Sequence, residues 1–416
     1  MLLHLQSALG IFVILLLAWV LSENRRAFPW RTVTAGLALQ AALALLLLEV
    51  PVARSALLAL NGSVDALTSA TKTGSAFVFG FVGGGAPPFT VTNPAGMVSF
   101  AFQILPLVLV ISALSALLWH WRILQLVVNA IAFALRKLMN IGGAVGLGSA
   151  ATIFLGMVEA PLLIRPYLPK LTRSELFMLM TVGLASVAGT VFFLYASILK
   201  NVVPGALGHI LIASMMSLPA AILISRIMIP GEAGVTTESA SDLKYRSSMD
   251  AIARGTEDGL KIYLQILAML LVMVALVSLA DTILRNLPWV WGSPLSLERI
   301  FGWLFAPVVW LFGVPWAEAA TAGSLMGIKT ILNELVAYLH LAALPAGALD
   351  PRSTLIMVYA MCGFANLGSV GIMIAGMSTL APERRDEIVP LALRAIVSGT
   401  MASGLTGAMI GLLPVI

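Results

Sequence analysis

Long apolar stretches separated by short polar segments run through the whole 416-residue chain. One helical crossing of a bilayer needs about 20 mainly apolar residues. Stretches of about that length predict eight membrane spans, near residues 3–21, 33–50, 98–118, 174–199, 206–228, 260–284, 353–380 and 387–414. The pattern therefore predicts an all-α polytopic membrane protein, with both termini on the same side because the number of crossings is even.

Composition supports this class. Hydrophobic residues make up 60% of the chain and charged residues 10%, and the mean hydropathy is +1.00, which excludes an ordinary soluble globular protein. The net charge of +5 gives no indication of a nucleic-acid partner, because the basic residues cluster beside the spans. The single cysteine, Cys362, excludes an internal disulfide. The four histidines are scattered and predict neither a metal site nor, with no nucleophile–base set, an enzyme.

The distribution of basic residues predicts the orientation. Sixteen of the 24 Lys and Arg residues fall in loops on one side of the predicted spans, and six fall on the other. Because basic loops stay in the cytoplasm, we expect both termini on the extracytoplasmic side of the cell membrane. We expect this membrane to be a bacterial inner membrane. The first apolar run lacks the basic leader of a secretory signal, so we expect a retained helix. Residues 230–258 form a polar linker, and 123–137 predict an interfacial helix.

Two apolar segments, 142–169 and 303–345, are interrupted near their middle and predict re-entrant hairpins. Each precedes a long helix broken by small and polar residues, at 183–191 and 362–371. This recurrence predicts an inverted repeat with a binding site near the bilayer midplane. The alternative is two unrelated glycine-rich packing faces. The corresponding divisions are 1–95 for the N-terminal helices and interfacial segment, 96–200 and 286–416 for the two repeats, and 201–285 for scaffold helices.

The stretch FLGMVEAP places the carboxylate of Glu159 inside an apolar segment. Pro161 suits the first turn of a helix, so we expect the chain to unwind near Gly156–Glu159 and to restart at about Ala160–Pro161. The free N–H groups of that helix would stabilise the carboxylate beside a polar cavity. Intramembrane acids are functional candidates. The alternative is a loop carboxylate that reaches water at the interface.

The second interrupted segment offers two acids. We expect Glu334 to be functional, whereas Glu318, close to an interfacial tryptophan, suits the membrane surface. Lys329 either pairs with an acid or reaches the interface through its long stem. Asn366 and Ser369 are three residues apart and share a helix face. The alternative to a binding role for these two residues is hydrogen bonding between helices alone.

Several motifs resemble the concentrative nucleoside transporters, over nearly the whole chain from about Gly36. They are GMVEAPLLIRPYLPKLTRSELF, GVPWAEA, NELVAY, CGFANLGSVGI and LAPERR. The resemblance implies a homotrimer with an elevator-type mechanism. It also implies transport of a nucleoside together with a cation, sodium or a proton, and no further cofactor.

The resemblance also implies residue roles. Ribose hydroxyls would be bound by Glu334, Asn366 and Ser369, with Phe364 beside them. Glu159 and Met157 would face the nucleobase, with Val158 beside them in the substrate site and Val191 beneath the base. The family commonly has Gln and Thr where this chain has Met157 and Val158, so we expect a different base preference. A modified nucleoside or another hydroxyl-bearing metabolite is the alternative substrate, and a sensor that binds without transport is a further alternative.

The cation site that the resemblance implies comprises Thr152, Leu155, Ser186 and Val187. Thr152 stands where the family has an asparagine, but its hydroxyl still offers an oxygen, which a hard cation needs. Sodium is therefore expected at a weakened site. A proton carried by Glu159 or Glu334 is the competing coupling ion, because burial favours the protonated form of a carboxyl group.

Overall fold

The computed structural model describes residues 2–92, 97–231, 244–290 and 292–413, and no β-sheet forms within these ranges. Seventeen α-helices order this part of the chain. In sequence they are α1 (Leu2–Val20), α2 (Trp30–Glu49), α3 (Pro51–Phe79), α4 (Leu107–His120), α5 (Ile123–Met139), α6 (Gly143–Leu155), α7 (Glu159–Leu162), α8 (Arg173–Ala185), α9 (Gly189–Leu199), α10 (Ala206–Met228), α11 (Ser248–Leu284), α12 (Leu297–Leu311), α13 (Trp316–Ile331), α14 (Glu334–Ala343), α15 (Pro351–Met361), α16 (Leu367–Leu380) and α17 (Arg385–Leu412).

Seven helical stretches of the described residues are long and apolar enough to cross a membrane. They are Leu3–Val20, Trp30–Leu48, Phe100–His120, Arg173–Leu199, Ala206–Met228, Ser248–Leu284 and Pro382–Leu412. The remaining stretch expected to cross, 353–380, is two short helices, α15 and α16, with a break between them. This agrees with the prediction of a polytopic all-α protein, in which one expected span is an interrupted helix.

The two interrupted segments both fold as helix, break, helix. Hairpin 1 consists of α6 and α7, and hairpin 2 consists of α13 and α14. Hairpin 2 begins at Trp316, later than the expected 303, because the chain bends by 115° between α12 and α13. Gly313 permits this bend with its φ of +109°, a value that side-chain-bearing residues rarely adopt. Residues 303–311 therefore belong to a separate helix, α12.

The two broken helices cross at their breaks. The backbone N–H of Phe364, between α15 and α16, donates to the carbonyl oxygen of Ser186, between α8 and α9, at 3.2 Å. A Cβ at Gly363 would lie only 2.7 Å from the Ala185 carbonyl oxygen, so glycine is required for this approach. Unwound backbone deep in a membrane protein must find internal hydrogen-bond partners. Here one break supplies the N–H donor and the other supplies the carbonyl acceptor.

Helices α4 and α11 form a pair of their own. Gly255 and Gly259 let the backbones approach, since a Cβ at either position would lie within 3.0 Å of atoms of α4. The Trp121 indole N–H donates to Ser248 Oγ at 3.2 Å, and the Tyr263 hydroxyl donates to the Ala101 carbonyl at 3.1 Å. Much of the remaining α11 surface is exposed and apolar, including Leu264, Leu271, Val274, Leu276, Leu279 and Ile283.

Helix α10 has a different environment. It is buried along almost its whole length and packs against α2, α8, α9 and α17. The sequence had grouped residues 201–285 as scaffold, but these contacts place α10 with the broken helices and leave α11 with α4. The polar linker expected at 230–258 also differs, because α11 already begins at Ser248, where Ser247 Oγ accepts from the Asp250 N–H. Residues 232–243 of that linker lie outside the described part.

The two ends of the molecule are tied by different polar contacts. At one end His4 Nδ1 lies 3.2 Å from the Gly411 carbonyl oxygen, so α1 begins where α17 ends. At the opposite end Glu23, in the α1–α2 loop, pairs with Arg173 at 3.0 Å and also with Arg394. The Arg394 side chain, on α17, thus reaches the end of the span. The termini of the described chain share one side, as the even number of crossings predicts.

The Glu23 cluster makes stability depend on pH. The hydrogen bond from Arg173, reinforced by the charges of both arginines, holds the pKa of Glu23 below its ordinary value. A lowered folded-state pKa stabilises the fold above the unfolded pKa of about 4.3 and loses this contribution as the pH falls through the folded value. Glu23→Gln should therefore lower the thermal midpoint at pH 7. The loss in the free energy of unfolding should be no more than about 1 kcal/mol, because the ion pair is largely exposed. Glu383→Gln serves as control, and an equal deficit at pH 3.5 and pH 7 would contradict this account.

Candidate functional site

One cavity of about 170 Å³ lies where the hairpin breaks, the helix breaks and α11 meet. All eight residues expected to bind substrate line it. They are Met157, Val158, Glu159, Val191, Glu334, Phe364, Asn366 and Ser369. Leu155, Thr190, Tyr195, Gln265 and Asn333 are among the other lining residues. The structure thus brings together side chains that are far apart in sequence.

Glu334 is the most constrained of these groups. It is the first residue of α14, and only 4% of it is exposed. Its Oε1 accepts from the Tyr195 hydroxyl at 2.6 Å, and its Oε2 accepts from the Asn366 side-chain amide at 3.2 Å. Each carboxylate oxygen has two lone pairs, so the pair can still accept hydrogen bonds from a ligand.

The breaks themselves hold these groups in place. The Asn333 side chain caps α14 by accepting from the Val336 N–H at 2.9 Å. The Asn366 side chain caps α16 by accepting from the Ser369 N–H at 2.8 Å, while its amide nitrogen donates to Glu334. Asparagine is a preferred residue at helix N-caps. The Asn366 cap is also part of the cavity wall, because its side-chain oxygen caps α16 while its nitrogen donates to Glu334.

Tyr195 was missed by the sequence reasoning. It lies four residues after Val191 on α9, so the two share a face, and its ring packs against Tyr338 with centroids 5.1 Å apart. A buried phenol usually finds a hydrogen-bond partner. The available signal was thus a tyrosine one turn from an expected site residue in a mostly apolar helix.

The tip of hairpin 1 is packed more tightly than expected. Gly156 has a φ of +97° and turns the chain into the four-residue helix α7. Met157 is 8% exposed, with its Cβ 3.0 Å from a Cβ placed on Gly183. A Cβ on Gly376 would lie 2.7 Å from Val158 Cγ1. Met157 and Val158 therefore seal the hairpin against α8 and α16, whereas Glu159 remains accessible.

The four residues expected at a cation site lie on two adjoining elements. A Cβ on Gly189 would be 3.2 Å from Phe154 Cα, so the end of α6 touches the α8–α9 break. Thr152 Oγ1 donates to the Gly148 carbonyl and Ser186 Oγ to the Val182 carbonyl, both at 2.9 Å. The Val187 carbonyl accepts from Ser214 Oγ at 3.4 Å. Leu155 ends α6 beside the cavity. Both hydroxyls keep lone pairs that a cation can use.

Comparison with known proteins decides the family. The family "Na+ dependent nucleoside transporter" matches this chain in two parts. Its N-terminal part matches residues 9–82, and its C-terminal part matches residues 209–411. A "Gate: Nucleoside recognition" description matches residues 101–202. The nucleoside permease NupC of Helicobacter pylori is 36% identical over 98% of this chain and 97% of its own. The chain belongs to the concentrative nucleoside transporter family.

Other members of this family agree. The chain is 37% identical to the transporter YutK of Bacillus subtilis, over 98% of this chain and 99% of that protein. It is 32% identical to the sodium/nucleoside cotransporter 1 of Rattus norvegicus, over 99% of this chain and 64% of that protein. The solved structure of CNTnw in an inward-facing substrate-bound state has a TM-score of 0.88 at 35% identity, covering 99% of this chain and 97% of its own. All of these are transporters, as expected for a chain that is not an enzyme.

Two charged residues of hairpin 2 occupy different places in this transporter fold. Lys329 on α13 is fully buried and interacts electrostatically with Glu334, so it does not reach the interface. Its Nζ donates no hydrogen bond within the part of the chain that the structure describes. Glu318 lines a separate cavity, where its Oε1 accepts from the Asp350 N–H at 3.3 Å. Of the two acids, Glu334 alone lies at the site.

The contact between Val158 and Gly376 can be tested by a double substitution. Gly376→Ala should lower the thermal midpoint, because the added methyl overlaps Val158 and such overpacking costs roughly 1–3 kcal/mol. Val158→Ala in the same chain should restore most of that loss. Gly371→Ala, where a Cβ meets nothing within 4 Å, is the matched control. Additive effects of the two substitutions would show that the side chain of Val158 points elsewhere.

Proposed function

We propose that this protein is a symporter that moves nucleosides across a cell membrane by alternating access, driven by a cation gradient. The observation that carries the proposal is the Glu334 carboxylate, held by Tyr195 and Asn366 inside a cavity between two opposed hairpins. The names of the relatives support it, since they include a nucleoside permease and a sodium/nucleoside cotransporter.

The cavity divides into two ends of different chemistry. At the first, Glu334, Asn366 and Ser369 suit vicinal hydroxyls, because a carboxylate accepts from two O–H donors at once. We propose that this end binds the ribose. Phe364 and Val191 supply apolar surface for the flat faces of a base, and Glu159 offers an acceptor for its edge.

During transport, one body of the protein would move relative to the other, and the helix packing defines these two bodies. The α4–α11 pair would be the fixed wall, and its exposed apolar face would join subunits into a homotrimer. The hairpins, the broken helices, α10 and α17 would move together and carry the site past α11. Rigid-body motion of one repeat-built bundle against another is the usual means of alternating access in such transporters.

We propose sodium as the coupling ion. Thr152 and Ser186 contribute hydroxyl oxygens, and Leu155 and Val187 contribute backbone carbonyls, which are the ligands that a hard cation prefers. The family description names sodium as well. The proton, carried by Glu334 or Glu159, is the other outcome of the test.

The first test removes the charge of Glu334. In proteoliposomes, Glu334→Gln should abolish uptake of uridine, adenosine and inosine, because the ribose hydroxyls lose a charged acceptor whose hydrogen bonds are worth roughly 1.5–3 kcal/mol each. Glu318→Gln, a carboxylate of the same hairpin in another cavity, should transport normally. If none of the three nucleosides competes for the wild type at millimolar concentration, the proposed substrate is wrong. Binding without flux would indicate a sensor.

The second test concerns the ion. At fixed pH an inward sodium gradient should drive uptake, and Thr152→Val should raise the sodium concentration for half-maximal uptake at least severalfold, because one oxygen ligand is lost. Thr379→Val, at an exposed threonine that does not line the cavity, should leave that value unchanged. Uptake driven by a proton gradient without sodium, and insensitive to Thr152→Val, would contradict sodium coupling.

A further inference from the structure

Helix α11 presents one polar side chain to the cavity. The residues of α11 that line it are Ile262, Gln265, Ile266 and Met269, which share one helix face because they are spaced by three or four residues. Gln265 is therefore the only hydrogen-bonding side chain that this wall contributes. No hydrogen bond of the described residues uses its amide, and the residue is exposed.

Neighbouring contacts place Gln265 along the cavity. Met269 Cε lies 3.2 Å from a Cβ placed on Gly368, which itself would be 3.4 Å from Asn366 Oδ1. Met269 is thus level with the ribose end. Gln265 precedes it by about one helical turn, or roughly 6 Å along the axis.

Glu159 lines the same cavity as Gln265 and the ribose-binding groups. It adjoins Val158, which packs against Gly376, ten residues after Asn366 on α16. Glu159 and the ribose-binding groups therefore mark different parts of the cavity, and Gln265 lies one turn of α11 away from the ribose end. A nucleoside with its ribose at Glu334 would present its base beside this amide.

The opposite wall has little to offer a base edge. The side chains of Met157 and Val158 at the tip of hairpin 1 carry no hydrogen-bond donor, and the Met157 thioether is only a weak acceptor. Both residues pack against glycines of the moving body. Glu159 is an acceptor when ionised and gains a single O–H donor when protonated. A primary amide supplies both a donor and an acceptor, so Gln265 can pair with either kind of group on a base.

We infer that Gln265 hydrogen-bonds the edge of the nucleobase and sets the base preference of this transporter. The inference rests on the proposed function, because it needs a nucleoside in the cavity. It also places part of base recognition on the α11 wall, across the cavity from Glu159 of the moving hairpin. The contact then forms only when the hairpins stand at this level of α11, so bases are discriminated in one conformational state.

The test compares substitutions at one position. Gln265→Met keeps the length of the side chain and removes its donor and acceptor. We expect the ratio of half-inhibitory concentrations between the poorest and the best of uridine, cytidine, adenosine and inosine to fall about three- to tenfold, the effect of one hydrogen bond. Gln265→Asn keeps the amide and should preserve the rank order. Leu264→Met, next to Gln265 in sequence but outside the cavity lining, should leave the ratio unchanged.

Each outcome is decisive. If wild-type selectivity survives in Gln265→Met, or if the wild type does not discriminate among the four bases, Gln265 does not read the base. An equal fall of the ratio in Leu264→Met would show a general effect on α11 packing and also overturn the inference. If no nucleoside competes for the wild type, the proposed function itself fails, which separates the two claims. Equal thermal midpoints of the variants exclude misfolding as the cause.

Discussion

A carboxylate buried inside a membrane protein needs hydrogen-bond donors around it. Removing an ion from water costs roughly several kcal/mol, even after the protein relaxes around it. Glu334 meets this constraint through the Tyr195 hydroxyl and the Asn366 amide. The two donors come from α9 and from the break before α16, so the acid ties three elements together. The buried Lys329 adds the opposite charge from α13. The position of this one group thus fixes how hairpin 2 sits against both broken helices.

The helix breaks follow from the same requirement. A continuous helix would use its own backbone groups and leave none for a solute. The breaks free N–H and C=O groups, and two of them, before α14 and before α16, close part of the deficit with asparagine caps at Asn333 and Asn366. The breaks of the two long helices also pair with each other through Phe364 and Ser186. Polar groups at depth are tolerated because they line a cavity or face protein.

Much of this could be predicted from the sequence. Apolar runs of the right length gave the spans, and an acid between glycine and proline marked the break at Glu159. Asn366 and Ser369 were found because polar residues three apart in an apolar helix share a face. The start of hairpin 2 could not be found, since the bend at Gly313 lies within an unbroken apolar run.

Other features depend on tertiary packing that periodicity does not show. Tyr195 and Gln265 lie on helices that carry other polar residues as well, and only the assembled cavity shows which of these residues line it. Met157 and Val158 line the cavity, and only the assembled structure shows that they also pack against Gly183 and Gly376. Likewise, α10 and α11 are both long apolar helices, and only their neighbours distinguish a buried core helix from an exposed wall.

The most direct measurement is a structure of the protein determined with a bound nucleoside in a lipid environment. The account predicts ligand density in the cavity between the hairpins, with hydroxyl groups within hydrogen-bond distance of Glu334 and the base between Glu159 and α11. Density in the separate cavity beside Glu318 and Asp350, or a nucleoside whose hydroxyls face away from Glu334, would contradict it.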